Sequence, residues 1–163
     1  LQGPGAVIVP VRQRPENGFH LDPDDVAQAI TPRTRAIYFA TPCNPTGAMM
    51  PRATLEEVAA SARQHDLWVV SDEVYATLTF GEEHVSIAGL PGMAERAVTI
   101  NSLSKSHAMT GWRMGWMVGP QALIAHIYNL SMAMLYGLPT FLQRGAVVAL
   151  EQDLAEVELM RAT

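Results

Sequence analysis

Apolar positions along the chain fall into two alternating patterns. Short runs with little polar interruption recur at Val7-Ile-Val-Pro-Val11, Arg35–Ala40, Leu67–Asp72, Ala97–Ser102 and Gly115–Gly119. Runs of this length, rich in β-branched and aromatic residues and bounded by turn formers, read as buried strands. Between them lie segments with helical spacing. Leu21-Asp22-Pro23 opens the first: Asp22 suits a cap, Pro23 suits the first helical position, and Val26, Ala29 and Ile30 form an apolar side that stops by Pro32. Pro51 to His65 is the clearest helix, with Leu55, Val58, Ala59 and Ala62 on one side and Glu56 and Glu57 near its positive end. Pro120 opens another through Ile124 and Ile127. The apolar stretch Leu130–Tyr136 follows, with Met132, Met134 and Leu135 expected to fill a core, or else to form a subunit interface. Gly137 and Pro139 break it before a helix from Thr140 to Gln152. Leu154, Val157 and Met160 continue with helical spacing.

Arg12–His20 reads as a loop, Glu73–Phe80 as an irregular or short helical piece leaving the sheet, and Gly81–Glu95 as a surface excursion. No amphipathic helix separates the last two strands, so they are expected to pair antiparallel. Strands alternating with helices predict an α/β fold: three layers, a mostly parallel sheet with one antiparallel strand, and helices on both faces. Residues 1–163 make a single domain on this reading.

Composition narrows the classes. Hydrophobic residues make up 48% and charged residues 17%, a globular rather than disordered balance. A formal charge of −5 with no basic run argues against a nucleic-acid surface. No stretch reaches the roughly 18 apolar residues of a membrane span. One cysteine, Cys43, allows no internal disulfide and suits a reducing, cytoplasmic setting. The five histidines lack ligand spacing, so no metal site is expected. The chain starts at Leu1 and ends after a helical pattern with no capping signal, and so is expected to be a piece of a larger protein.

The densest chemistry lies at Ser102-Leu-Ser-Lys105-Ser-His-Ala-Met-Thr110-Gly-Trp-Arg113-Met-Gly115-Trp116. Lys105 sits where a strand ends. Ser102 and Ser104 offer hydroxyls, and Arg113 offers a two-pronged grip on phosphate oxygens. A lysine able to form an imine beside phosphate-gripping groups is what a pyridoxal phosphate site requires. Asn44 and Asp72 also follow the carboxyl ends of separate strands, where ligands bind in open α/β sheets. Taken singly, each residue has a plainer reading: a surface lysine, a capping aspartate, a tyrosine at the core edge.

Ser102-x-x-Lys105 with Gly111-Trp-Arg113-x-Gly115-Trp116 resembles the cofactor-lysine segment of the class I and II aminotransferases, which are fold type I pyridoxal phosphate enzymes. Asn44-Pro-Thr-Gly47 and Ser71-Asp-Glu-Val-Tyr75 match two further family motifs in the same order. The resemblance implies a partial cofactor-binding large domain, with upstream segments and a C-terminal small domain lying outside these residues. It assigns Lys105 as the imine-forming residue and later proton-transfer base, a role favoured by burial and by a neighbouring cation such as Arg113. Asp72 would face the ring nitrogen. Tyr75 and Asn44 would contact the ring hydroxyl, Ser102 and Arg113 would hold phosphate, and Ser104 is a less specific candidate. A cis Asn44-Pro45 bond is also implied.

The implied activity is amino-group transfer between an amino acid and a 2-oxo acid, in a homodimer, with little turnover from this chain alone. Two alternatives stay open. One is another reaction on the same cofactor, such as β-elimination, decarboxylation or racemisation. The other is a non-catalytic, aminotransferase-like sensing domain of a transcriptional regulator.

Overall fold

The computed structural model describes residues 5–152 and 155–162. Four strands form one sheet in the order β1 (Ala36–Ala40), β2 (Trp68–Asp72), β3 (Ala97–Ser102), β4 (Gly115–Val118). The first three are parallel, with Ala40 opposite Asp72 and Asp72 opposite Ile100. β3 and β4 are antiparallel, with Ser102 opposite Gly115. The helices around the sheet are α1 (Pro23–Ala29), α2 (Arg52–Gln64), α3 (Leu103–Ser106), α4 (Gln121–Leu135), α5 (Thr140–Glu151) and α6 (Ala155–Ala162). The architecture is the expected α/β one, mostly parallel with one antiparallel strand. The antiparallel step follows from the short link between β3 and β4, which holds only α3 and a 3-10 turn at Thr110–Trp112 and is too short for a helical crossover.

Local chemistry explains the helix ends. Asp22 is extended and its side chain accepts the Asp24 amide at 3.0 Å, while Pro23 takes the first helical position of α1. Ser102 does the same for α3, accepting the Ser104 amide at 3.0 Å. α2 lays Leu55, Val58, Ala59 and Ala62, all fully buried, onto Phe39 and Val69 of the sheet. Val26 of α1 and Ile87, Leu90 and Met93 of the excursion after β2 close this core. A second, smaller cluster joins Leu103, Met114 and Ala146, with Trp116 and Leu142 packed against it. It fastens α5 to the β3–β4 corner. His107 adds a polar tie there, with Nε2 3.1 Å from the Ala149 carbonyl and Nδ1 2.8 Å from Ser106 Oγ.

Two sequence expectations are corrected. Val7–Val11 is not a strand. Among the described residues it has no sheet neighbour, Val7 is 78% exposed, and Pro10 removes one of the amides a ladder would need. Met132, Met134 and Leu135 do not fill a core. They lie on α4, which buries none of its residues, and Met134 is 68% exposed. Leu154 of the terminal helical pattern lies outside the described residues.

Candidate active site

All the strand-end chemistry converges on one edge of the sheet. Because β1, β2 and β3 are parallel, their carboxyl ends share that edge. Because β4 is antiparallel, its amino end joins them. Asp72 is the last residue of β2 and Ser102 the last of β3. Asn44 lies four residues beyond β1, in a loop with cis peptides at Thr41-Pro42 and at Asn44-Pro45, the second as expected. Lys105 sits on α3, immediately beyond β3, and Arg113 lies two residues before β4. Neighbouring strands are about 4.8 Å apart, so the four strand ends span about 14 Å. Tyr75 is carried by a turn after β2, closed by the Ala76 amide on Glu73 O at 2.9 Å and the Leu78 amide on Tyr75 O at 2.8 Å.

Within this edge several contacts are defined. Lys105 Nζ lies 5.9 Å from the centroid of the Tyr75 ring, over its face. Asp72 Oδ1 accepts the Val74 amide at 3.2 Å, and Oδ2 accepts the Tyr38 hydroxyl at 3.4 Å. Ser102 Oγ lies 2.9 Å from both Ser104 Oγ and the Met114 carbonyl, so it links the start of α3 to the entry of β4. Arg113 adopts a left-handed backbone, φ 53°, and donates from Nη1 to the Thr110 carbonyl at 3.0 Å. For a residue with a side chain that conformation costs about 1–2 kcal/mol. It bends the chain from the 3-10 turn into β4 and leaves the guanidinium at the strand entry. The structure thus brings Asp72, Tyr75, Ser102, Ser104, Lys105 and Arg113 to one edge. Asn44 joins the same edge on an exposed loop. Lys105 is exposed, so the burial anticipated around it is not supplied by the described residues.

Pyridoxal phosphate carries a ring nitrogen that is cationic when protonated, an aldehyde and a doubly charged phosphate. The unpaired charges match this pattern. Among the described residues Asp72 has two neutral donors and no ion pair, Lys105 has no carboxylate partner, and Arg113 is bonded only to a carbonyl. One free carboxylate, one free amine and one free guanidinium beside two hydroxyls form a fitting complement. An α/β domain with this edge has the complement of groups that a pyridoxal phosphate protein needs.

A cavity of about 790 Å³ adjoins the edge. Asn44 and Tyr75 line it, together with His20, Cys43, Phe80 and Glu82, whereas Asp72, Lys105 and Arg113 do not. Two residues near the site carry no motif signal. Tyr38 reaches Asp72 only through the β1–β2 register, and His20 reaches the cavity only through the path of the first loop.

The whole chain, residues 1–163, matches the family model for aminotransferase class I and II. It is 59% identical over 157 residues to the arginine–pyruvate transaminase of Pseudomonas aeruginosa, covering 96% of this chain and 40% of that protein. It is 42% identical over 164 residues to aromatic-amino-acid aminotransferase 2 of Thermococcus litoralis, covering 99% and 42%. The structure of Thermus thermophilus aspartate aminotransferase with maleate superposes with a TM-score of 0.93 at 40% identity, covering 97% of this chain and 42% of that one. The chain belongs to the class I and II aminotransferases. It spans about two fifths of the length of these relatives.

Proposed function

We propose that the chain is the cofactor-binding part of the large domain of a longer pyridoxal phosphate-dependent aminotransferase, which moves an amino group between an amino acid and a 2-oxo acid. The observation that carries this is the convergence of Asp72, Tyr75, Ser102, Lys105 and Arg113 on one sheet edge, with Asp72, Lys105 and Arg113 in no ion pair among the described residues. When bound, the cofactor supplies an electron sink for the carbon that bears the amino group. The protein's own tasks are then distinct. Lys105 anchors the cofactor and moves the proton at that carbon. Asp72 holds a proton on the ring nitrogen. Tyr75 and Asn44 contact the ring hydroxyl. Ser102, Ser104 and Arg113 hold phosphate.

The relative at 59% identity makes arginine with pyruvate the first substrate pair to test. We further propose that the longer protein is a cytoplasmic homodimer. The exposed apolar side chains of α4, Tyr128, Leu130, Met134 and Leu135, support the dimer, and a chain with one cysteine suits a reducing compartment. Turnover requires segments outside this chain, so the isolated chain is expected to be nearly inactive. Product analysis tests the reading. A full-length protein carrying this chain should convert donor amino acid and pyruvate to a 2-oxo acid and alanine in equal amounts. Release of ammonia or carbon dioxide instead would assign a different reaction on the same cofactor, and no product of any kind would remove the enzymatic reading.

A further inference from the structure

We propose that Tyr38 is a positioning residue for Asp72, fixing the carboxylate through a hydrogen bond to its second oxygen. The inference rests on the reading of Asp72 as the partner of the cofactor ring nitrogen. Its physical basis is the register of β1 and β2. Ala40 lies opposite Asp72 and Tyr38 opposite Val70, so Tyr38 and Asp72 point to the same face of the sheet, one two-residue step apart. That step is about 6.6 Å along a strand, a distance that a tyrosine side chain spans and a valine or leucine does not. The phenol hydroxyl ends 3.4 Å from Asp72 Oδ2. The Val74 amide holds Oδ1 at 3.2 Å. Each carboxylate oxygen therefore has one neutral donor, from different strands or turns, and the carboxyl plane is constrained about its last torsion.

The titration of Tyr38 agrees with this geometry. Burial pushes its phenol above the usual tyrosine value, and the negative charge and hydrogen bond of Asp72 push it further, with a small contribution from Cys43. A phenol held protonated can donate at any pH at which the enzyme would work. Tyr38 is also 51% exposed, so solvent screening keeps the bond's contribution to the stability of the domain modest. Its effect lies in where the carboxylate points. With Oδ2 released, only the Val74 amide on Oδ1 still restrains the carboxylate, and it then spends less time in the orientation that keeps a ring nitrogen protonated. Tyr38 touches Asp72 and is given no contact with the cofactor.

The test uses Tyr38→Phe, which keeps the ring and removes only the hydroxyl, in the full-length protein carrying this chain. Three readouts are taken: circular dichroism, cofactor affinity of the apoprotein, and the nitrogen-15 NMR shift of ring-labelled pyridoxal phosphate. The fold should be unchanged. Affinity should fall about three- to tenfold, the range for losing one donor to a charged acceptor at a partly wet site. The nitrogen signal should move toward the unprotonated position, which a packing role for the tyrosine would not cause. Asp72→Asn is the reference. If Asp72→Asn moves the nitrogen signal and Tyr38→Phe moves neither that signal nor the affinity, the positioning role is wrong and the assignment of Asp72 stands. If Asp72→Asn leaves the signal in place, or the wild-type protein takes up no cofactor, the site reading itself fails. A readout free of cofactor closes the remaining gap. In the apoprotein, Asp72→Asn should lower the pH at which Tyr38 titrates by carbon-13 NMR, and an unchanged titration would disprove the contact.

Discussion

Gly111 and Gly115 stand four residues apart in the segment that follows Lys105, yet the structure gives them different duties. A Cβ built on Gly111 meets nothing within 4 Å. One built on Gly115 would lie 2.9 Å from the carbonyl oxygen of Asn101 and 3.6 Å from Ser102 Cβ, on the neighbouring strand. Ordinary contact begins near 3.4 Å, so Gly115→Ala must push β4 from β3 by several tenths of an ångström, because the atom it meets too closely, the Asn101 oxygen, is backbone. Overpacking of this kind costs about 1–3 kcal/mol. Replacing glycine narrows the unfolded ensemble and returns about 0.4–1 kcal/mol. The expected net loss for Gly115→Ala therefore lies between about 0 and 2.6 kcal/mol, with a central value of about 1.3 kcal/mol. For Gly111→Ala only the favourable term applies, giving a change from zero to about 1 kcal/mol of added stability.

Urea unfolding of the two variants beside the wild type measures this directly. With a slope of about 2 kcal/mol/M, the central value lowers the Gly115→Ala midpoint by about 0.65 M, and Gly111→Ala should leave it unchanged or raise it. The same displacement should lengthen the link from Ser102 Oγ to the Met114 carbonyl, now 2.9 Å. Gly115→Ala should therefore also weaken cofactor binding, through the phosphate-side hydroxyl. Equal midpoints for the two variants would refute the steric argument. A loss in Gly111→Ala as large as in Gly115→Ala would refute it as well.

Other expectations follow from the same structure. Leu55→Ala removes a fully buried side chain from the main core and should cost about 2–5 kcal/mol in the same urea assay; a loss below 1 kcal/mol would mean that α2 does not pack as described. Tyr38 has a raised phenol value in the folded state, so its protonated form adds stability that is fully present below about pH 10 and is lost as pH rises through the folded value. Wild type should therefore lose more stability than Tyr38→Phe between pH 9 and the alkaline limit, and parallel pH profiles would contradict this.

Much of the fold was legible because the strands are short apolar runs with turn residues at both ends. β1, β2, β3 and β4 all fall inside their expected ranges. The antiparallel β3–β4 pair was also legible, because the link between them has no helical pattern long enough to cross over. Val7–Val11 failed because a hydrophobic run states what a segment prefers to bury, not what is there to bury it. Met132, Met134 and Leu135 failed for the same reason. Their spacing describes an apolar helix side, and none of the described residues buries it. That Lys105, Asp72, Tyr75 and Arg113 meet at one sheet edge was legible because each belongs to a motif placed at a strand end. Tyr38 was not, because it meets Asp72 34 positions away, and only a strand register could bring the two together. Exposure of Lys105 was likewise invisible, since a motif fixes neighbours in sequence and not what covers them.

The most direct test of the account is borohydride reduction of the full-length protein after incubation with pyridoxal phosphate, followed by peptide mass mapping. A phosphopyridoxyl group on Lys105, lost in Lys105→Ala and reduced in Arg113→Ala, is the predicted result. Modification of another lysine is not possible on this chain, which contains only one. No adduct at Lys105, in a protein shown by circular dichroism to be folded, would contradict the account at its centre.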